Sequence, residues 1–184
     1  MSQYTWQETL VTAKVAGTAN TAGTAASCIP TAAKITLPNG FFSPGRMIRV
    51  VAQGRISCVV TTPGTARFDV RLGAVVAFDT GALNLNIVAK TNVPWWLVIE
   101  LACRAEGQTT TANLMGFARF QSEAVIASAA NAAGSNGTLI APVGAPTVGT
   151  GFDSSAAQAL DLFFTQTVAT GSMTLEQYRV ESIN

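Results

Sequence analysis

The sequence contains no histidine, and this absence removes histidine-based nucleophile triads, imidazole metal ligands and imidazole proton shuttles together. Charge is also scarce. Only 11% of the 184 residues are charged, against roughly 25% in ordinary soluble domains. Lys and Arg number 11 and Asp and Glu 10, so there is no basic excess with which to neutralise a nucleic acid backbone. Three widely spaced cysteines, Cys28, Cys58 and Cys103, form no CxxC pair, which argues against a disulfide framework or a zinc knuckle. Cys58 and Cys103 lie in apolar runs and read as small buried hydrophobes. The longest apolar run, Val93 to Ala102, is broken by Pro94 and Glu100 and is too short to span a bilayer. The N-terminal residues show no basic stretch followed by an apolar one, so no signal peptide is expected, and synthesis in a cytoplasm is. No long segment holds a 3.6-residue apolar period.

What is present is strand signal. In Ala66–Leu72, Phe68, Val70 and Leu72 alternate with Arg67, Asp69 and Arg71, the pattern of a half-buried strand. Trp95, Leu97, Ile99, Leu101 and Cys103 share one face of a run opened by Pro94, and Trp96, Val98, Glu100, Ala102 and Arg104 share the other. Residues 113–123 alternate in the same way, 158–169 read as a strand with Leu160, Leu162 and Phe164 inward, and 173–183 read as the last strand. Met47–Ala52 and Ile56–Thr61 read as two strands joined by a hairpin turn at Gln53-Gly54-Arg55. Two stretches are rich in small residues. Residues 18–33 bury too little apolar surface to hold a shape alone, and are expected as an extended arm lying on something. Residues 127–151 read as one long irregular loop. The expected fold is therefore all-β, an antiparallel β-sandwich of jelly-roll type over residues 38–184, preceded by an extended N-terminal arm and first strand over 1–37.

Chemistry is harder to find. A glycosidase pair could be drawn from the carboxylates, for example Asp69 with Asp79, but nothing in the spacing prefers any pair. No DxDxDG loop is present, which leaves calcium held by backbone carbonyls around Gly149–Asp153 as the one metal reading the sequence offers. The Gly-rich pieces lack phosphate-loop patterns. No catalytic residue, metal site or cofactor is expected, and the protein is not expected to be an enzyme. Trp95 and Trp96 are adjacent, so in a strand they face opposite ways; one belongs to the core and the other to an interface. The candidate interface residues are Arg46, Arg49, Arg67, Asp69, Arg71 and Trp96, with Arg46 and Arg49 placed to meet a carboxylate on a partner.

Several segments resemble tailed-bacteriophage virion proteins: Phe41–Val50 followed by Gly54–Ser57, Thr62–Thr65 leading into Phe68–Gly73, the Trp95-Trp96 pair, and above all Gly151–Gln158, Leu160–Leu162 and Met173–Asn184. The resemblance covers most of residues 38–184 and implies a jelly-roll head decoration, or cement, protein. Such a protein would bind the major capsid protein on the outer shell as a homo-oligomer, a trimer or dimer, without nucleic acid or membrane, and would reside in the virion. Repeated small contacts would then act by avidity, and low charge would make them less sensitive to salt. The alternative is a phage tail or fibre-associated domain that contacts a host surface receptor.

Overall fold

The computed structural model describes residues 7–59, 62–126 and 137–183. Among these, twelve strands are present: β1 (Glu8–Thr12), β2 (Ala26–Ser27), β3 (Ile35–Leu37), β4 (Met47–Cys58), β5 (Thr65–Leu72), β6 (Val75–Asp79), β7 (Leu83–Asn84), β8 (Lys90–Ala105), β9 (Asn113–Ser122), β10 (Gly137–Ala141), β11 (Gln158–Gln166) and β12 (Ser172–Ser182). They form two antiparallel sheets. The first runs β1-β12-β4-β8-β9-β10 and the second β2-β11-β5-β6, with β3 also on β11 and β7 on β5. The protein is an all-β sandwich. Three antiparallel pairs are nested: β4 with β12, β5 with β11, and β8 with β9 innermost. This folding of one long hairpin upon itself is the connectivity from which jelly rolls are built. The meander β8–β9–β10 then widens the first sheet.

The period-two alternation decides what lies between the sheets. Phe68, Val70 and Leu72 from β5, Leu97, Ile99 and Leu101 from β8, Leu114 and Phe120 from β9, and Leu160, Leu162 and Phe164 from β11 are all buried. At the centre, the Phe68 ring lies 5.2–5.3 Å from those of Trp95, Phe120 and Phe164. Tilted aromatic pairs at this spacing add about 0.5–1.5 kcal/mol each beyond their buried area.

Three expectations are corrected. First, Gln53-Gly54-Arg55 is no turn: β4 runs unbroken for 12 residues, paired to β12 on one side and β8 on the other. Gly54 is there for a close approach. A methyl group at its Cα would lie 2.0 Å from the Thr174 carbonyl oxygen and 3.0 Å from the Trp95 ring. Opposite it, β12 carries a bulge, with Leu175 facing Gly54, Gln177 facing Gln53 and Glu176 as the extra residue. Second, the described part of the N-terminal segment lies along its own sandwich. β1 pairs with β12, the chain continues through hydrogen bonds from Gly17 N to Leu175 O and from Asn20 N to Met173 O, and β2 and β3 then pair with β11. Cys28, Ile29, Ala33 and Leu37 are buried as the segment crosses from one sheet to the other. The residues are few, but backbone pairing to two sheets supplies what their apolar area does not. Third, the stretch expected to be irregular over 127–151 contains β10, which pairs with β9 over five residues. Beyond it, Val143 N bonds Thr80 O and Gly149 N bonds Leu114 O. Residues 127–136 lie outside the described residues.

If the close approach at Gly54 is as tight as its geometry indicates, Gly54→Ala lowers unfolding free energy by about 1–3 kcal/mol in urea titrations. Gly23→Ala is the control: its added methyl meets nothing nearer than 3.5 Å and the change stays within about 0.5 kcal/mol.

Candidate functional site

The outer face of the first sheet is read most easily as rows across the strands. One row comprises Gln177 of β12, Gln53 of β4, Trp96 of β8 and Gln121 of β9, each the register partner of the next. Alternation sends all four outward, since Trp95, Ala52 and Phe120 beside them are buried. Trp96 is 50% exposed. Among the described residues no hydrogen bond engages the side-chain amides of Gln53, Gln121 or Gln177. A half-exposed indole therefore stands among three free amides, each able to donate and to accept.

The row lines a groove of about 610 Å³. The β12 bulge shapes it: because Glu176 is inserted, Glu176 and Gln177 are both exposed and both line the groove. Arg55 pairs with Glu176 at 3.2 Å and Lys90 with Glu123 at 3.3 Å, so the carboxylates beside the groove carry their own counter-ions. A smaller hollow of about 80 Å³ lies against Trp96, Val98, Arg119 and Gln121. Towards the other end of β8 and β9, a groove of about 540 Å³ is lined by Met47, Glu100, Arg104, Met115 and Phe117 among others. Phe117 is 48% exposed.

The sequence-derived interface residues do not form one cluster. Arg49 and Trp96 are on the outer face of the first sheet, with Arg46 just before β4. Arg67, Asp69 and Arg71 belong to β5 in the second sheet. The arginines expected to seek a partner's carboxylate find groups in their own chain. Arg49 donates to Glu100 Oε1 from Nε at 2.9 Å and Nη2 at 2.7 Å, and its Nη1 lies 3.7 Å from Glu181 Oε2. Arg179 Nε donates to Glu181 Oε1 at 2.8 Å, so charges of alternating sign cross three strands. Arg46 sits 4.9 Å from the Phe41 ring centroid and donates to Ser182 Oγ at 3.3 Å.

On the second sheet, Arg71 donates to the buried Asp69 carboxylate at 2.5 Å and stacks 3.7 Å from the Phe163 ring centroid. Arg67 Nε donates to Asp79 Oδ1 at 2.7 Å. Asp69 and Asp79 are register partners across β5 and β6, so the pair considered from sequence for glycoside cleavage is brought together, with each carboxylate held by its own arginine. Near Gly149–Asp153 the backbone pairs with the start of β9, Ala112 and Phe152 exchanging both hydrogen bonds. Among the described residues no group of three or more Cys, Asp or Glu is placed to hold a metal ion. The glutamines of the Trp96 row carry no sequence motif. Their signal was positional, and it required the register of four strands.

The three cysteines are buried and unpaired. Desolvation raises the pKa of each thiol, and at Cys28 the nearby Asp161 carboxylate raises it further. The reactive thiolate is thus suppressed in the fold. Iodoacetamide at pH 8 is expected to leave the native protein unlabelled and to modify all three cysteines in guanidinium chloride, as read by intact mass. Rapid native labelling of any one would show that its burial is wrong.

No family model matches the chain, and no curated protein matches it. Among solved structures it is similar to the CBM2 module of the evolved Dit protein of Lactobacillus casei BL23 phage J-1. The identity is 13% and the TM-score 0.32, over 82% of this chain and 68% of that one.

Proposed function

We propose that the protein is a non-catalytic binding module of a phage particle that holds a host surface receptor against the outer face of its first sheet. The observation that carries this reading is the Trp96 row, where a half-exposed indole is flanked by three side-chain amides without hydrogen-bond partners among the described residues. Tryptophan is enriched among the anchors of binding sites, and here the ring stands beside donors and acceptors able to orient what it holds. Stacking on the ring provides affinity and the amides fix orientation, the division of labour common to small-ligand sites. The carboxylates near the groove and the Asp69–Asp79 neighbours lie in ion pairs, which favours binding over acid–base chemistry.

A second reading, shell decoration, is favoured by the exposed apolar side chains Phe117 and Ile140 on the same sheet. On that reading the face would meet a capsid subunit, and isolated protein would add back to stripped capsids and raise their melting temperature.

Labelled full-length protein is expected to adhere to host cells, with Trp96→Ala reducing affinity by at least about thirty-fold, the cost of losing an aromatic anchor. Because Trp96 is half exposed, the variant should keep its melting temperature to within a few degrees. Undiminished adhesion by Trp96→Ala would remove the site from this face. Absence of adhesion combined with capsid rebinding would replace the proposal with the decoration reading.

A further inference from the structure

Building on the binding-module reading, we infer that the ligand is a linear oligosaccharide that lies along β8 and β9 and touches both Trp96 and Phe117. The two rings are on the same outward face. Trp96 pairs with Gln121, whereas Phe117 pairs with Glu100, four residues further along β8 and one strand across. At about 3.4 Å per residue and about 4.8 Å between strands, their separation is about 14 Å. One sugar ring cannot reach both, and a chain of a few units can.

Between them the outward pairs Val98–Arg119 and Glu100–Phe117 follow one another along the two strands. The hollow at Val98 and Arg119 adjoins the Trp96 groove through shared Trp96 and Gln121, and Glu100, the next outward residue of β8, belongs to the Phe117 groove. Arg119 is exposed and has no ion-pair partner among the described residues, so its guanidinium is available as a donor midway along the track.

The chemistry of the lining selects the class of occupant. A pyranose presents an apolar C–H face to an indole or phenyl ring and hydroxyls around its edge. Three free amides and a guanidinium match that edge, because each hydroxyl can both donate and accept. A protein surface covering the same track would have to supply a partner for every one of these groups or leave it buried and unsatisfied, at a cost of about 1–3 kcal/mol each. The charges lining the Trp96 groove are paired, while Arg119 in the hollow and Arg104 in the Phe117 groove have no ion-pair partner among the described residues, so an acidic as well as a neutral oligosaccharide fits the track.

The test uses full-length protein against a panel of linear oligosaccharides graded from disaccharide to hexasaccharide, including host wall fragments, with titration calorimetry on every series that binds. Affinity is expected to rise with length until the chain spans both rings and then to level. Trp96→Ala loses at least about thirty-fold at every length. Phe117→Ala removes the gain with length, about ten-fold for the longest members. Circular dichroism melts confirm that both variants fold. Affinity independent of length, or a full gain with length in Phe117→Ala, overturns the inference. So does a dimer in light scattering that both variants dissociate, since the face would then belong to a second copy. If cells bind through Trp96 but no oligosaccharide does, this inference fails and the binding-module reading stands; if neither binds, both fail.

Discussion

The position of β4 between β12 and β8 is the constraint on which the rest of the structure depends. One strand of 12 residues has its inward set, Ile48, Val50, Ala52 and Ile56, in the core and its outward set, Arg49, Gln53 and Arg55, on the face that carries the candidate site. Because side chains alternate with period two, a slip of one residue against either neighbour would exchange the two sets. Gly54 holds that register at its most demanding point. Its missing side chain admits the Thr174 carbonyl, the bulge in β12 forms opposite, and Glu176 and Gln177 both emerge at the groove. A residue in the middle of the sheet thus determines which groups reach the surface, and the core and the outer face with its candidate site are two consequences of one pairing.

Much of this was legible in the sequence. The alternation sorted the side chains of β5, β8 and β9 into two faces, put Leu160, Leu162 and Phe164 of β11 inward, and placed Trp95 and Trp96 on opposite sides without deciding which is buried. What misled was glycine. In Gln53-Gly54-Arg55 a glycine flanked by polar residues has the composition of a turn, but its role is steric, and only the carbonyl pressed against it reveals the difference. The N-terminal segment misled in another way. Small residues carry little apolar area, and the hydrogen bonds that tie Gly17, Asn20 and Cys28 to strands β11 and β12 lie more than a hundred residues away in sequence, where no local pattern records them. The candidate site was half legible: an exposed tryptophan could be anticipated, whereas three glutamines scattered over 124 positions, from Gln53 to Gln177, become neighbours only through the strand register.

The low charge also acquires a physical interpretation. Read from composition alone, a chain with so few charges is one whose surface is covered by other subunits. In the fold the scarce charges are concentrated in pairs on the sheets' outer faces: Arg49 with Glu100 and Glu181, Arg67 with Asp79, Arg71 with Asp69, and Lys34 with Asp161. The exposed members of this set, such as Arg49 with Glu100, each contribute about 0–1 kcal/mol and are a minor source of stability, whereas Asp69 and Glu181 are buried carboxylates that need their arginines. Their larger effect is on recognition. Arginines and carboxylates engaged with each other are not free to attract partners of opposite charge, and selection on these faces passes to groups that remain unengaged.

On the first sheet, among the described residues, those groups include an indole, a phenyl ring, three amides and the guanidiniums of Arg104 and Arg119. The combination has a consequence for how any ligand must bind. Aromatic rings about 14 Å apart on a rigid sheet give two weak contacts, and an extended ligand gains the second at little further entropic cost once the first is made. The amides have no long-range field, so what steering there is comes from Arg104 and Arg119, and discrimination among neutral groups comes from geometry at contact. A surface built in this way is poorly suited to rapid capture of a scarce molecule. It is well suited to a polymer displayed in many copies, where a slow first encounter is offset by the number of encounters and hold is set by how many units lie along the strands.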